Sequence, residues 1–401
     1  MKKLIYISYA ILLFVFFLYS YTQIDLSLTF SRIEFLRQLV KSFQYIGYFN
    51  RPLSTFLYII FITFLFNFYL IFFTMTRTNQ ISKKTLWKLI IVTTIVLTFS
   101  YNAFSYDLFN YMFDAKIITH YHQNPYLHKA LDFPGDPMLS FMHWTHRTYP
   151  YGPVWLVLTV PLSFLGFNLF IPTFFLFKSL MALSYLGTAY YISKILQKIH
   201  PQNYNLGLIF FALNPLVLIE SLVSAHLDIV MLFFAIWSLY VMIKKRYARA
   251  FILLAISVSI KFSTAALVPI FIVILVWQIR NKKINWDIIF FTAAILMIIP
   301  VSYASNLNNF QPWYLLEVLF VAAILGHKYF VFLPSIIISF FALLTYAPFL
   351  YLGNWNPPVP QFLSNLYMAS YIISLVGVVA YYFFRKNSKR KIQISKPKLK
   401  V

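Results

Sequence analysis

The amino-acid sequence predicts an all-α, polytopic membrane protein with about twelve transmembrane helices and a large extracytoplasmic loop. Two observations lead to this fold class. The 401 residues are 61% hydrophobic and only 11% charged, which leaves too few polar side chains to cover soluble domains. The apolar residues form long runs without a period of two, so membrane-spanning helices are expected and a transmembrane barrel is not.

A hydrocarbon core about 30 Å thick requires roughly 20 apolar residues for each helical crossing. The apolar runs lie at about 4–22, 55–75, 87–104, 153–170, 172–193, 205–222, 228–243, 249–278, 286–304, 313–326, 329–352 and 364–384. We therefore interpret residues 1–401 as one transmembrane domain. No small-residue cleavage site follows the first run, which favours a retained helix over a signal peptide.

The basic residues determine the predicted orientation. The net charge is +23, but Lys and Arg occur in short patches between apolar runs and form no basic domain, so nucleic acid is not an expected partner. The positive-inside rule places these patches in the cytoplasm. They are residues 2–3, 77–88, 194–198, 244–249, 280–283 and 328 and the basic tail 386–401, which is expected to contact anionic lipid. The segment 23–54 and the loop 105–152 are then extracytoplasmic.

Three segments need a more detailed interpretation. Two full crossings within 151–193 would move the patch 194–198 outside, so one of these runs is predicted not to cross. Residues 249–278 lie between two cytoplasmic patches, which indicates a hairpin of two short helices turning near Lys261 and Phe262. Residues 23–54 contain apolar side chains at helical spacing beside basic ones, which indicates an amphipathic segment at the outer interface.

The loop 105–152 holds the main candidates for chemistry. Asp107, Tyr111 and Asp114 are spaced i, i+4, i+7 and share one helical face, and Lys116 follows as a possible phosphate partner. An alternative is that Asp107 only caps the start of the helix. Asp132 and Asp136 follow in a Pro/Gly-rich turn, which we expect to hold a carboxylate less rigidly.

Other features of this loop favour architecture over chemistry. The motifs at 124–126 and 149–153 are rich in Pro and Tyr, and are expected to fix where the loop leaves and re-enters the membrane. His143 and His146 are three residues apart and could share a metal, but no acidic motif accompanies them. The chain has no Cys, so no thiolate site is possible. We therefore predict no cofactor and no metal; a divalent metal is possible but unsupported.

Charged residues also interrupt the apolar runs farther along the chain. His226 and Asp228 lie at a predicted outer turn and could form a pair, either as a structural cap or as a binding site. Lys261 is enclosed by apolar neighbours on both sides. Such a cation needs an anion, and a lipid phosphate is the expected one; the alternative is that the side chain snorkels to the interface.

These motifs resemble, in their order along the chain, those of the GT-C glycosyltransferases. The resemblance is greatest to bacterial polyprenol-phosphate-mannose-dependent mannosyltransferases. The motifs are Asp107-x-x-x-Tyr111-x-x-Asp114-Ala115-Lys116, Asn124-Pro125-Tyr126, Tyr149-Pro150-Tyr151-Gly152-Pro153, Asn214-Pro215 through Glu220, His226-Leu227-Asp228, Ser259-Ile260-Lys261 and Gln311-Pro312-Trp313-Tyr314. This chain departs from the pattern at Ala115-Lys116, where Gly-Arg is common, and at Leu227, where Asn is common. The first hundred residues are expected to lie outside the resemblance.

The resemblance implies an enzyme of the bacterial plasma membrane that moves a hexose, expected to be mannose, from a polyprenyl-phosphate donor to an extracytoplasmic glycan or lipid acceptor. It implies Asp107 as the catalytic base and Asp114 as a second acid of the site. Direct displacement by an activated hydroxyl would invert the anomeric centre. The residues expected to bind donor or acceptor are Tyr111, Lys116, Arg147, His226, Asp228, Lys261, Gln311, Trp313 and Tyr314.

Two other classes of protein share the multispan pattern. A transporter or lipid flippase would place ionisable residues near the midplane of several helices, where only Glu317 and Lys261 are candidates here. A polysaccharide polymerase or ligase would share the large outer loop, although Arg would be expected to dominate it. Dependence on a polyprenyl-phosphate monosaccharide would distinguish the transferase from both.

Overall fold

A computed structural model describes residues 2–29 and 31–394, with side chains up to residue 383. Within these residues the protein is all-helical, without strands. The α-helices are α1 (Lys2–Ser20), α2 (Glu34–Gln44), α3 (Arg51–Arg77), α4 (Lys83–Thr98), α5 (Asp107–Thr119), α6 (Pro153–Leu165), α7 (Phe170–Ile199), α8 (Tyr204–Ala212), α9 (Pro215–Leu218), α10 (Asp228–Ile243), α11 (Tyr247–Val258), α12 (Val268–Ile279), α13 (Trp286–Asn308), α14 (Leu316–Ala322), α15 (Tyr329–Leu344), α16 (Tyr346–Leu352) and α17 (Val359–Ile394). The helical prediction is confirmed; residues 395–401 of the predicted basic tail lie outside the described residues.

The helices are those of a membrane protein. Seven helical segments in the described part of the chain are long and apolar enough to cross a bilayer, and α8 with the helical turns up to Val223 would form an eighth, bent by 54°. Four further apolar helical segments are shorter, at Pro153–Leu165, Asp228–Ile243, Tyr247–Val258 and Pro312–Leu325. Every predicted apolar run overlaps a helix, but the count of about twelve crossings stays a prediction.

Helix α6 has the properties expected of a run that does not cross. Its 13 residues span about 20 Å, which is less than the hydrocarbon thickness. At its start, the backbone N–H of Gly152 donates to Ile260 O at 3.0 Å. Just beyond its end, Asn168 accepts a hydrogen bond from Thr119 at the end of α5. The start of α6 therefore lies beside the turn at Ser259–Lys261 and its end lies beside the end of α5, while the predicted crossing pattern of 151–193 stays a prediction.

Two other local predictions are confirmed in their secondary structure. Residues 249–278 form two helical segments, α11 and Phe262–Ile279, with the break at Ser259–Lys261. Helix α2 lies within the predicted amphipathic segment and leaves apolar side chains such as Phe35 exposed. Its place at the outer interface of the membrane stays a prediction.

Helix α3 sets the distance between the two ends of the molecule. Its 27 residues span about 40 Å. The Asn50 side chain accepts a hydrogen bond from Leu53 N at 3.4 Å and so caps the start of the helix. Tyr48, just before that start, contacts Tyr106 through their hydroxyls at 3.5 Å. The beginning of α3 therefore lies next to the beginning of α5, and Arg77 at its end lies at the opposite side of the protein.

Candidate active site

The first turn of α5 holds Asp107 with a partly exposed carboxylate. Ser105 Oγ accepts a hydrogen bond from the backbone N–H of Asp107 at 3.1 Å, and Asn102 donates to Ser105 O at 2.9 Å. Asp107 is the first residue inside the helix, and its side chain makes no capping hydrogen bond. Its Oδ2 lies 3.5 Å from Nδ1 of His226, and the side chain is 17% exposed. The capping alternative for Asp107 is therefore wrong.

His226 connects Asp107 to a fully buried carboxylate. Its Nε2 lies 3.3 Å from Oε2 of Glu220, and Tyr346 donates a hydrogen bond to Glu220 Oε1 at 3.1 Å. The imidazole is completely buried and lies in the turn 224–227, where Ala225 adopts a φ of 58°. Burial opposes the charged ring, but Asp107 and Glu220 outweigh it and raise the pKa of His226 to about 9. His226 therefore carries a positive charge at neutral pH.

A second cluster surrounds Lys261 at the turn between α11 and the following helix. Its Nζ donates to Asp228 Oδ1 at 2.6 Å and to Glu317 Oε1 at 2.9 Å. Ser263 donates to the same Glu317 oxygen at 3.0 Å, and the Tyr314 ring centre lies 5.3 Å from the ammonium. The Lys261 ammonium, for which a lipid phosphate was the expected partner, therefore already has two carboxylate partners within the protein. Its contact with a donor phosphate stays a prediction.

The two clusters are neighbours, although the predicted pair between His226 and Asp228 does not form. No hydrogen bond or ion pair joins these two side chains in the described structure; each belongs to a different cluster. Trp313 stacks on the His226 ring with centroids 4.0 Å apart, and Tyr314, the next residue, lies beneath Lys261. The structure thus brings together six of the predicted site residues. They are Asp107, His226, Asp228, Lys261, Trp313 and Tyr314.

The proline-rich motifs join the loop to the Lys261 turn. Gly152 N donates to Ile260 O, and Val154 N donates to Ser259 O at 3.1 Å. A Cβ on Gly152 would lie 2.1 Å from Ser259 O, so this close approach requires glycine. The Tyr126 hydroxyl donates to Tyr151 O at 3.1 Å, which connects the two motifs to each other. These contacts support the architectural interpretation of both motifs.

Tyr111 has a packing role between α5 and α6. Its ring makes edge-to-face contacts with Tyr151 and Trp155, with centroids 5.5 Å and 5.4 Å apart. The residue is 2% exposed, so its ring has little surface left for a substrate. Asp114, one turn farther along the predicted face, is half-buried and has no ionic or hydrogen-bonding partner among the described residues. Burial raises the pKa of Asp114 to about 8.

Lys116 is bound to another part of the same loop. It forms an ion pair with Asp136, which also accepts a hydrogen bond from the Tyr121 hydroxyl at 2.7 Å and one from Met138 N at 2.8 Å. Although burial opposes it, Lys116 and Tyr121 hold the pKa of Asp136 below its usual value. Asp136 is only 5% exposed. The expectation that this Pro/Gly-rich turn holds a carboxylate less rigidly is therefore wrong for Asp136. Lys116, expected as a phosphate partner, is instead paired with Asp136.

Arg147 and Gln311 remain at the edge of the site. Arg147 is exposed, lies over the Trp144 ring at 4.4 Å and has no carboxylate partner in the described structure. His143, earlier in the same segment, stacks on Tyr106 with centroids 3.8 Å apart, which places this segment beside the start of α5. Gln311 is half-buried, and its side-chain amide donates to Asn308 O at 3.4 Å.

Two residues of this region have no role in the sequence-based hypothesis. One is Glu220. The other is Lys178 of α7, which is 1% exposed and donates to Leu222 O, to Val223 O at 3.0 Å and to Ser100 Oγ at 3.4 Å. Lys178 therefore joins the segment before Asp107 to the segment before His226. A sequence signal exists, because Lys178 lies inside an apolar run, outside every basic patch.

No group of three acidic or histidine side chains in residues 2–29 and 31–383 has a geometry suited to a metal ion. The predicted absence of a cofactor requirement stays a prediction. The chemical features of the site are instead a partly exposed carboxylate and a charged imidazole supported by a buried carboxylate.

Comparison with known proteins identifies the family. A family model described as alpha-(1->6)-mannopyranosyltransferase, N-terminal domain, of the MptA_B family matches residues 29–278, which is more than half of the chain. The chain belongs to this mannosyltransferase family. No curated protein and no solved structure matched it. The protein is therefore a membrane-bound glycosyltransferase that acts on a sugar donor and an acceptor.

The match confirms the resemblance to GT-C mannosyltransferases and changes its extent. It begins at residue 29, so the expectation that the first hundred residues lie outside the family pattern is wrong for 29–100. It includes Asp107, His226 and Lys261. Gln311, Trp313 and Tyr314 lie beyond the matched residues, and their link to the site comes from the contacts of Trp313 and Tyr314 described above.

Proposed function

We propose that the protein transfers mannose from a polyprenyl-phosphate donor to a glycan or glycolipid acceptor at the outer face of the bacterial plasma membrane. Asp107 is the catalytic base of a single inverting displacement. One observation carries this proposal. Asp107 is the partly exposed end of a line of polar groups that continues through His226 to Glu220 and is otherwise buried.

The reaction needs one base and no covalent intermediate. Asp107 takes the proton of the acceptor hydroxyl, whose oxygen forms the new bond to the anomeric carbon. The bond from that carbon to the phosphate oxygen breaks, and the polyprenyl phosphate leaves with the electron pair. Attack and departure occur on opposite faces, so the anomeric centre inverts. An α-linked product, as in the family description, then requires a β-linked donor.

His226 acts on the reaction through Asp107. Its charged ring holds Oδ2 of Asp107, which leaves the other carboxylate oxygen to receive the proton. Glu220 holds the opposite ring nitrogen, and Tyr346 in turn orients Glu220. His226 and Glu220 are therefore positioning residues.

Arg147 is the best-supported partner for the donor phosphate. Its guanidinium has no carboxylate partner in the described part of the chain, and its segment contacts Tyr106 next to Asp107 through His143. Lys116 and Lys261 are already neutralised by Asp136 and by the pair Asp228 and Glu317. The partly exposed ring of Trp313, beside His226, is a surface on which a sugar can stack.

The donor is tested with purified protein in liposomes. Polyprenyl-phosphate mannose should support transfer to a mannoside acceptor, and a nucleotide-linked mannose should not. The anomeric configuration of the product, measured by NMR, should be opposite to that of the donor. Transfer from the nucleotide sugar alone, or a product that retains configuration, would contradict the proposed chemistry.

The orientation is tested by cysteine labelling, because the chain has no native cysteine. Gly135 is a suitable loop position, since nothing lies within 4 Å of a Cβ added there. A thiol reagent that cannot cross the membrane should label Gly135→Cys in intact cells and label Lys83→Cys only after lysis. The reverse pattern would place the loop 105–152 in the cytoplasm and remove the proposed outer-face reaction.

A further inference from the structure

A cavity lies at the opposite end of the molecule from Asp107. It is about 750 Å³ in volume and opens between the end of α3, the turn before α8, the start of α15 and α17. Because α3 is about 40 Å long and begins beside Tyr106, its end lies at the other membrane face. The cavity therefore lies at the depth of lipid headgroups, on the side where the basic patches are concentrated.

The cavity has a cationic and a neutral polar part. Arg77 contributes a guanidinium that lies 4.5 Å from the Tyr329 ring centre and has no acidic partner in the described structure. Tyr329 stacks on Tyr381 of α17 with centroids 4.4 Å apart, which holds this aromatic wall in place. Lys328 adds a second cation, an ammonium that is paired with Asp287.

The remaining walls fit the rest of a lipid. Asn203 adds an amide to the lining. His327 adds an imidazole that burial keeps neutral by lowering its pKa to about 4, and its buried Nδ1 has no hydrogen-bond partner among the described residues. Phe73, Phe330 and Phe332 form an apolar surface next to these polar groups. Each part of the cavity matches one part of a phospholipid. The unpaired cation matches the phosphate, the neutral polar groups match the rest of the headgroup, and the apolar wall matches the start of an acyl chain.

We propose that this cavity binds the phosphate headgroup of an anionic membrane lipid. Arg77 contacts the phosphate, the polar groups of Asn203 and His327 face the headgroup, and the aromatic wall covers the glycerol. The site is separate from the transfer reaction, and its occupancy stabilises the packing of α3, α15 and α17 around the cavity.

The test measures lipid-dependent stability of the full chain. Delipidated protein in a neutral detergent is titrated with phosphatidylglycerol, and the apparent Kd is taken from the shift in thermal unfolding. Arg77→Gln should weaken this Kd about fivefold, as expected for one basic residue facing an anionic headgroup. Arg77→Lys should restore most of the affinity, and phosphatidylcholine should have no effect.

Lys83→Gln is the matched control, because Lys83 also lies over a tyrosine ring near the same face, at 4.5 Å from Tyr204, but does not line the cavity. Its Kd should stay within about twofold of the parent value. Equal weakening by Arg77→Gln and Lys83→Gln would show only diffuse surface attraction and overturn the proposed site. Stabilisation by inorganic phosphate that competes with the lipid would identify free phosphate as the ligand instead.

Discussion

The two carboxylates of helix α5, Asp107 in its first turn and Asp114 near its middle, differ in what they contact. Asp107 lies four residues before Tyr111 and Asp114 lies three residues after it, so both belong to the same predicted helical face. Asp107 faces a charged imidazole, whereas Asp114 has no ionic or hydrogen-bonding partner among the described residues, and burial raises the pKa of Asp114 to about 8. At neutral pH Asp114 is therefore mostly protonated and can donate a proton but not accept one. The environment and not the spacing makes Asp107 the candidate base.

The largest expected effect comes from removing the base. Asp107→Asn should lower kcat by about 10²–10⁴, because the amide keeps the shape but cannot accept a proton. Asp114→Asn is the control on the same helix, and it should retain most of the activity because it replaces a group that is already neutral. Donor binding should persist in both variants. Loss of activity in Asp114→Asn alone would reverse the two roles.

Substitution of Lys261 tests whether its ammonium binds the donor or only stabilises the fold. Lys261→Met should reduce stability by about 3–5 kcal/mol, since it leaves Asp228 and Glu317 buried without a partner. The variant that also carries Asp228→Asn and Glu317→Gln should recover most of this loss in a thermal unfolding assay.

The recovered variant then permits a clean measurement of the donor KM. A value close to that of the parent would show that Lys261 serves packing. A KM about tenfold above that of the matched variant with Asp228→Asn and Glu317→Gln that keeps Lys261 would show that Lys261 also contacts the donor phosphate, as the sequence pattern first suggested.

A change at His226 tests the contact that distinguishes Asp107 from Asp114. His226→Gln should lower kcat by about 10²-fold and change KM little, because a base that is misplaced by about 1 Å is inefficient. His128→Gln, at an exposed position, is the control. With a pKa of about 9, the His226 imidazolium is present below that pH and lost above it. The kcat of the parent protein should therefore fall as the pH rises through 9. If the kcat of His226→Gln falls in the same way, His226 is not the cause of the decline.

Asp114 provides the smallest effect, on stability and not on catalysis. The unfolded carboxyl loses its proton near pH 4, whereas the folded one keeps it until about pH 8. Between these values the folded state binds more protons, so the contribution of Asp114 to stability falls as the pH rises. Asp114→Asn should be more stable than the parent protein at pH 8, on the order of 1–3 kcal/mol, and nearly equal to it below pH 4. A constant difference across this range would contradict the raised pKa.

Local patterns in the sequence predicted the local structure of this protein. The break at 259–261, the amphipathic helix α2 and the helix beginning at Asp107 all follow from periodicity and charge within short segments. Ionic partners were not predictable in this way, because Lys261 finds its carboxylates 33 and 56 residues away along the chain. The pair of Lys116 and Asp136 was missed for the same reason. The contact of His226 with Glu220, six residues away, was missed because it depends on the irregular helical turn at Ile219–Val223. A single sequence shows that a charge is enclosed, but not which distant group encloses it.

The buried ammonium of Lys178 has a consequence for the order in which the protein is made. It lies about 12 Å along α7, and its carbonyl partners Leu222 and Val223 follow 44 and 45 residues later. While the ribosome synthesises this interval, α7 must enter the bilayer with a lysine that costs about 2.5–3.5 kcal/mol on insertion scales. The ammonium gains these carbonyl partners only after the bent helix has emerged, so we expect the membrane insertion of α7 to be completed together with that of the bent helix.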